Sequence, residues 1–354
     1  MDLEFLELRA AVFRQIRSFF DKRDFLELDT PVLAPDLIPE TCLEVFGTEY
    51  LVPGGKRPRP YWLVPSPEIW MKKLIAKHRK SVYQICRCFR NGESTGSLHS
   101  PEFTMLEYYT MGFDYLDSLK LTEELFGELR RALFPENGFP ALNRGRKQGG
   151  FLRISVEEAF REFAGVDLFG AAGAGRLGEE ARRLGLEIPD SLDTKTIYDL
   201  IFIHAVEPAI PKDTITALLD YPAFVPCLAK PGPDGKTVER WEIYGRGVEL
   251  ANCYSEETNP ETVKHYFEEE GKAKNRAALV PHRIDGEYWK LFAPGPGGQP
   301  FPQCSGVAMG LDRLIMVLAG RSSIDAVLPF PMAAPGKAKE EITAKPKKPN
   351  KFNK

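Results

Sequence analysis

Residues 89–109 read FRNGESTGSLHSPEFTMLEYY. They lie within two runs of strand-like composition, SVYQICRCFR (81–90) and PEFTMLEYYT (101–110), joined by a polar loop that carries two glycines. Aromatic and β-branched residues on both sides of such a loop predict a pair of antiparallel strands. Side chains two apart in a strand share a face, so Phe103, Met105, Glu107 and Tyr109 line one face of the second strand. A carboxylate among those neighbours needs a partner, because burying an unpaired charge is costly. Either a nearby lysine or arginine or a ligand ammonium meets that need. Arg90 ends the first strand, where its planar fork suits a phosphate and, equally, a surface ion pair.

Two further stretches place unusual residues in strands. In CSGVAMGLDRL (304–314), Gly306, Ala308 and Gly310 alternate, so one face bears nothing larger than a methyl group and could accept a flat ring. A helix follows with Arg313 in its first turn, where the helix dipole disfavours a cation unless an anion is near. Arg313 is therefore a candidate for a nucleotide phosphate; close backbone packing beside an exposed arginine is the plainer reading. In GVELANCYSEE (247–257), Glu249, Asn252 and Glu256 interrupt an apolar strand. Glu249 beside phosphate oxygens would suit Mg2+, directly or through water, whereas solvated acids on an edge strand would need no ligand.

The rest of the chain supplies the frame. Phe5, Leu8, Val12, Phe13, Ile16 and Phe20 recur at helical spacing over residues 4–20. DFLELDTPVL (24–33) turns extended, with Pro31 closing the strand. In VPSPEIWMKKLIAK (64–77), Ser66 is the expected N-cap, Pro67 the first helical residue and Glu68 part of the first turn. Residues 116–210 are mostly helical in pattern, broken by a Gly/Pro-rich stretch at 135–150 and a loop, FGAAGAGRLG (169–178). That loop has no Gly-Lys-Ser/Thr and no clear strand before it, so it is not read as a phosphate loop. Strands return in TITALLDYPAF, ERWEIYGRGVELANCY and CSGVAMG, with a helical segment at 260–277 and a final helix near Leu311. The sum is an α+β domain on a mainly antiparallel sheet flanked by helices.

Composition is that of a globular protein of 354 residues, with no apolar run long enough for a membrane span and no basic, signal-like start. The expectation is a cytoplasmic protein without a membrane partner. Six cysteines in so long a chain make no disulfide framework, and Cys86 and Cys88 read as buried thiols rather than zinc ligands. Residues 331–354 hold seven lysines against two glutamates, which leaves −8 on residues 1–330 of a chain whose total is −3. This basic segment reads as a disordered tail, either solubilising or a loose nucleic-acid arm.

Together these stretches resemble the catalytic domain of class II aminoacyl-tRNA synthetases. FLELDTPVL is similar to motif 1, FRNGE…HSPEFTMLEYY to motif 2 and GVAMGLDRL to motif 3, with GVELAN before motif 3. The resemblance spans residues 5–330 and is nearest to the lysine branch, through PEFTMLE and ELANCYSE. Only about twenty residues precede motif 1, which leaves no room for the anticodon-reading OB-fold of lysyl-tRNA synthetases. A catalytic core of that kind resembles the elongation factor P–lysine ligases. The domain reading is accordingly a catalytic domain over 1–330, with a helical insertion at about 116–210, and a tail over 331–354.

The resemblance implies ATP and Mg2+, a lysine or β-lysine substrate, elongation factor P rather than tRNA as acceptor, and a homodimer through Pro31. It implies catalytic roles for Arg90 and Arg313, and an ATP site of Arg90, Asn91, Glu93, His99, Ser100, Glu249, Leu250, Gly310 and Arg313, with Glu249 on the metal. Ser66, Glu68, Glu107, Tyr109, Asn252, Glu256 and Ala308 would shape the diamino-acid pocket. A truncated lysyl-tRNA synthetase paralogue and a non-catalytic regulatory paralogue are the alternatives. The departures from the family pattern fall in the motif 2 loop: the acid is Glu93, one place late, with Ser97 for arginine and Ser100 for asparagine. Ala308 replaces the middle glycine of motif 3 in lysyl-tRNA synthetases, a change the ligases share.

Overall fold

A computed structural model describes residues 3–55, 57–93, 96–134, 150–295 and 297–332. The expected basic tail lies outside the described residues apart from Pro331 and Met332, as does the Gly/Pro-rich stretch apart from Gly150.

Helix α1 (Leu3–Asp21) buries Phe5, Val12, Ile16 and Phe20 of the predicted stripe, leaves Leu8 and Phe13 half-buried against the same core, and also buries Arg9 and Phe19, which the spacing did not nominate. Strand β1 (Leu26–Glu27) follows, and then a small sheet of β2 (Leu33–Ala34), β3 (Gly47–Tyr50) and β4 (Arg59–Leu63), ordered β2-β4-β3. Pro31 and Val32, between β1 and that sheet, and Leu33, which begins β2, are exposed. Helix α2 (Glu68–His78) leads into β5 (Val82–Phe89) and β6 (Glu102–Met111), the antiparallel pair of the opening stretch. Helix α3 (Tyr115–Leu133) begins at the Asp114 cap.

Between β6 and β8 the expected helical region also contains a strand that periodicity did not announce, β7 (Leu152–Ser155), which pairs in parallel with the edge of the sheet. Helices α4 (Val156–Ala159), α5 (Leu168–Gly173), α6 (Leu177–Arg183) and α7 (Thr194–Ile201) follow. The glycine-rich "loop" is in part helix α5: Asp167 caps it, and Leu168 and Ala171 bury its inner side. Burial of that face outweighs the poor helix propensity of glycine.

Strands β8 (Ile215–Pro222), β9 (Thr237–Gly245) and β10 (Val248–Ser255), helix α8 (Pro260–Ala277), strand β11 (Cys304–Gly310) and helix α9 (Leu311–Leu318) complete the chain. Arg246 and Gly247, both at positive φ (55° and 75°), form the tight turn between β9 and β10. The main sheet runs β1-β5-β6-β11-β10-β9-β8-β7, antiparallel except at its two outer pairs.

The sheet's two faces have different fates. One face, with Tyr83, Leu106, Tyr108, Val307, Met309, Ala251 and Trp241, packs against α1, α3 and α9 as the main core. The other carries Glu107, Ala308 and Asn252. It is flanked at one end by the cluster of insertion helices and at the other by the cluster holding α2 and α8. The middle of that second face is left for a site.

Candidate active site

Strand register sets the site's floor. One row runs Gln84–Glu107–Ala308–Asn252–Glu242 across five strands, and the neighbouring row runs Val82–Tyr109–Gly306–Tyr254–Arg240. The small residues of β11 thus separate polar side chains on either side. A Cβ at Gly306 would stand 2.5 Å from Tyr109 Cε1 and 2.8 Å from Glu256 Oε1, so only glycine lets both groups reach the floor. At Gly310 a Cβ would make only ordinary contact, with the Arg313 side chain at 3.9 Å.

A cavity of about 600 Å3 lies over this floor. It is lined by every site residue that the sequence nominates except Asn91. The Asn91 amide instead donates to the Val45 carbonyl (3.2 Å) and its Oδ1 accepts from the Gly92 N–H (2.9 Å), so it holds the loop in shape. Ser66 also differs from expectation. Pro67 occupies the cap position of α2, and no side chain caps that helix, so the Ser66 side chain is not used as a cap and lines the cavity.

The cavity has an acidic end. Lys72 of α2 is wholly buried, with Nζ 2.5 Å from Glu68 Oε1 and 2.6 Å from Glu256 Oε2. Its ammonium also sits over the rings of Tyr254 (5.5 Å) and Tyr109 (5.9 Å). Glu107, 2% exposed, accepts from the Tyr109 hydroxyl at 2.8 Å, and no cation lies within ion-pair distance of it among the described residues. Glu107 Oε2 and both Glu256 oxygens are buried with no hydrogen bond among the described residues, and of these three only Glu256 Oε2 has an ion-pair partner, Lys72. Burial, and then the charge of Glu68, pushes the Glu107 carboxyl well above the usual range. Burial likewise raises Glu256 to about 7, against the pull of Lys72. Glu40, on the loop after β2, is pushed up to about 7 by burial and then by Glu68.

The opposite end is cationic. Arg90 stacks its guanidinium over Phe103 at 5.1 Å, has a buried Nε with no partner, and makes no ion pair among the described residues. The surface ion pair that the sequence left open is therefore absent there. Arg313 donates to the carbonyls of Leu98 and Glu249 (3.1 Å each) and stands 3.5 Å from Glu249 Oε2. His99 Nε2 is 3.7 Å from Glu93 Oε2, and burial followed by the Arg313 charge lowers its pKa, keeping the ring neutral near pH 7.

Several charged residues at or beside the cavity escaped the sequence reading, among them Glu40, Lys72, Arg240 and Glu242. Nothing in VPSPEIWMKKLIAK sets Lys72 apart from its neighbours Lys73 and Lys77. Arg240 and Glu242 sit on β9, two apart and facing the cavity: Arg240 donates to Glu242 Oε1 (2.7 Å) and to Asn252 Oδ1 (3.1 Å), and Tyr244 donates to Glu242 Oε2 (2.8 Å). Their alternation in ERWEIYG was the available signal. Glu242 also raises the Glu249 carboxyl, second only to burial, and Arg313 opposes it. Glu242 and Glu249 are oxygen donors of the kind Mg2+ takes, but they are two and not a group of three, and Arg240 and Tyr244 already occupy the oxygens of Glu242. Cys86 and Cys88, 3.7 Å apart at sulfur, are free thiols, and no cluster of metal-binding side chains occurs among the described residues.

A large, mainly antiparallel sheet with two arginines and a bare strand over one cavity is the arrangement that the resemblance to class II aminoacyl-tRNA synthetases implies. The chain belongs to the family of class II tRNA synthetases (D, K and N), which it matches over residues 3–334. Membership implies the use of ATP. Within the family, the chain is 36% identical to the elongation factor P–(R)-β-lysine ligase of Avibacterium paragallinarum over 323 residues, 91% of this chain and 93% of that protein. It is 35% identical to the ligase of that name from Vibrio atlanticus (strain LGP32) over 92% of this chain and 95% of that one. For the Vibrio parahaemolyticus serotype O3:K6 (strain RIMD 2210633) ligase the figures are 36%, 94% and 97%. No helix among the described residues is long and apolar enough to cross a membrane.

Proposed function

We propose that the protein activates β-lysine or lysine with ATP as an acyl-adenylate and transfers it to a lysine side chain of elongation factor P. The observation that carries this reading is one cavity with opposed ends. Two buried carboxylate oxygens with neither a hydrogen bond nor an ion pair, Glu107 Oε2 and Glu256 Oε1, stand at one end, and the unpaired Arg90 guanidinium at the other. A diamino acid lying between them would offer ammonium groups to the first and its carboxylate to the second. The names of the relatives supply the acceptor and the β-isomer.

In the first step a substrate carboxylate oxygen attacks the α-phosphorus of ATP, and pyrophosphate leaves with its bridging oxygen. The carboxylate is already ionised, so the protein supplies position and charge neutralisation rather than a base. Arg90 would hold the carboxylate against the α-phosphate. Arg313, His99, Glu93 and Ser100 would hold the rest of the nucleotide, whose ring would lie on the bare floor beside Leu250 and Gly310. Glu249 would hold Mg2+, which supplies neutralisation of phosphate charge. Ser66, Glu68, Glu107, Tyr109, Asn252, Glu256 and Ala308 would receive the diamino acid.

In the second step the neutral acceptor amine attacks the acyl carbon, the bond to AMP breaks, and the amine proton passes to solvent. Exposed Leu26, Val32 and Leu33 around Pro31 suit burial by a second copy of the chain, and the reading includes a homodimer through this surface.

ATP–pyrophosphate exchange with α-lysine, both β-lysine enantiomers and ornithine tests the first step. Transfer of label to elongation factor P or to tRNA tests the second. No exchange with any diamino acid overturns the activation step. Transfer to tRNA and not to elongation factor P would establish the synthetase paralogue instead.

A further inference from the structure

The wholly buried Lys72 has no part in the adenylation chemistry above, yet it occupies the centre of the acidic end. A lysine ammonium with no solvent access is costly unless fully paired, and here two carboxylates pair it, at 2.5 and 2.6 Å. Both belong to the pocket proposed for the substrate. We propose that Lys72 is a specificity-determining positioning residue: an internal ammonium that pairs Glu256 through one carboxylate oxygen and leaves the other for a second, external ammonium from the substrate. The inference rests on the diamino-acid reading of the site and deepens it.

The geometry supports this in three ways. Lys72 approaches Glu256 through Oε2 and leaves Oε1 buried and unpartnered on the cavity side, beside the bare Gly306. A ligand ammonium at Oε1 would complete the pairing of that carboxylate. Among the described residues, Lys72 is the one cation within ion-pair distance of Glu256. The other titratable groups that act on Glu256 or feel its charge are acids, thiols and phenols: Glu68 from α2, Tyr109 from β6, Cys253 and Tyr254 from β10, Cys304 from β11, and Tyr288 from the turn after α8. None can replace the lysine's charge.

The consequence concerns discrimination. With Glu256 ionised, a substrate lacking the side-chain ammonium leaves a buried carboxylate half paired, and the site rejects it. With Lys72 gone, burial keeps Glu256 protonated, and the neutral acid no longer requires a cation. Lys72 therefore sets the selectivity between a diamino acid and its deamino isostere.

The experiment is ATP–pyrophosphate exchange at pH 8, comparing α-lysine with norleucine and β-lysine with 3-aminohexanoate. The readout is the ratio of kcat/KM within each pair. Wild type should show a large ratio, and Lys72→Met and Lys72→Gln should reduce it by at least about tenfold. Lys72→Arg, which keeps the charge, should stay within about threefold of wild type. General damage to the fold lowers both members of a pair and leaves the ratio unchanged, and Lys72→Gln stands in if Lys72→Met does not fold. An unchanged ratio in the neutral variants, or an equal loss in Lys72→Arg, overturns the role of Lys72 while the parent function stands. Absence of diamino-acid exchange in wild type overturns both.

Discussion

Arg9 and Asp312 stand 303 residues apart in the chain and form a buried ion pair, with Nη1 2.5 Å from Oδ1. The same arginine donates to Thr104 Oγ1 at 2.6 Å, and Asp312 Oδ2 accepts from the Thr104 backbone N–H at 2.6 Å. One contact set thereby ties α1, β6 and the first turn of α9, the turn that carries Arg313. The first helix of the chain thus braces the turn that carries Arg313, the arginine proposed for the nucleotide.

Breaking that pair from one side should be severe. Arg9→Met leaves Asp312 buried without its cation, and a loss of about 3–5 kcal/mol in unfolding free energy is expected. The double variant Arg9→Met/Asp312→Leu should lose less than the single one, because no charge remains stranded. Urea unfolding of both variants checks the order, and equal losses would refute the account.

Arg90 presents the opposite case. Its guanidinium is unpaired among the described residues, so Arg90→Ala should change stability little. Exchange activity should fall by about 10²–10³-fold, the scale for removing an oriented charge donor. Melting temperature and pyrophosphate exchange measured on the same preparation separate the two effects. Exchange within a few-fold of wild type would remove Arg90 from the reaction.

The empty pocket holds Glu256 near pKa 7, above its unfolded value of 4.5. A carboxyl raised in the folded state contributes stability that is fully present below about pH 4.5 and is lost as pH climbs to about 7. Substrate binding has the converse sign, since an ammonium needs the ionised form. Lysine affinity should therefore rise between pH 6 and pH 8, with proton release on binding. Calorimetry in two buffers of different ionisation enthalpy measures that release, and Glu256→Gln should abolish its share.

Gly306→Ala places a methyl group 2.5 Å from the Tyr109 ring and 2.8 Å from Glu256 Oε1. Neither neighbour can retreat without giving up its place on the floor. A stability cost of about 1–3 kcal/mol is expected from overpacking. KM for the diamino acid should rise while KM for ATP stays near wild type. Steady-state exchange kinetics with each substrate varied in turn decides this, and an unchanged KM for the diamino acid would show that the floor tolerates a methyl.

Much of the fold, and the grouping of residues in the candidate site, was legible in the sequence for local reasons. The period of two in Phe103, Met105, Glu107 and Tyr109 and in Gly306, Ala308 and Gly310 depends only on strand geometry. The helix over α1 and the turn before α9 follow from spacing and from the small residues that precede them. The parallel edge strand β7 stayed hidden because four residues carry too little pattern to be told from a helix end. The capping role assigned to Ser66 failed because a cap depends on backbone angles at Pro67, not on residue type alone.

By itself, then, the sequence determined which residues share a face and which elements they belong to, since those follow from neighbours along the chain. Only the tertiary structure decided that Lys72 is buried against Glu256, that Arg9 reaches Asp312, and that Glu242 stands by Glu249. A charged side chain can leave water only when a partner from a distant segment meets it, and no local period records that meeting.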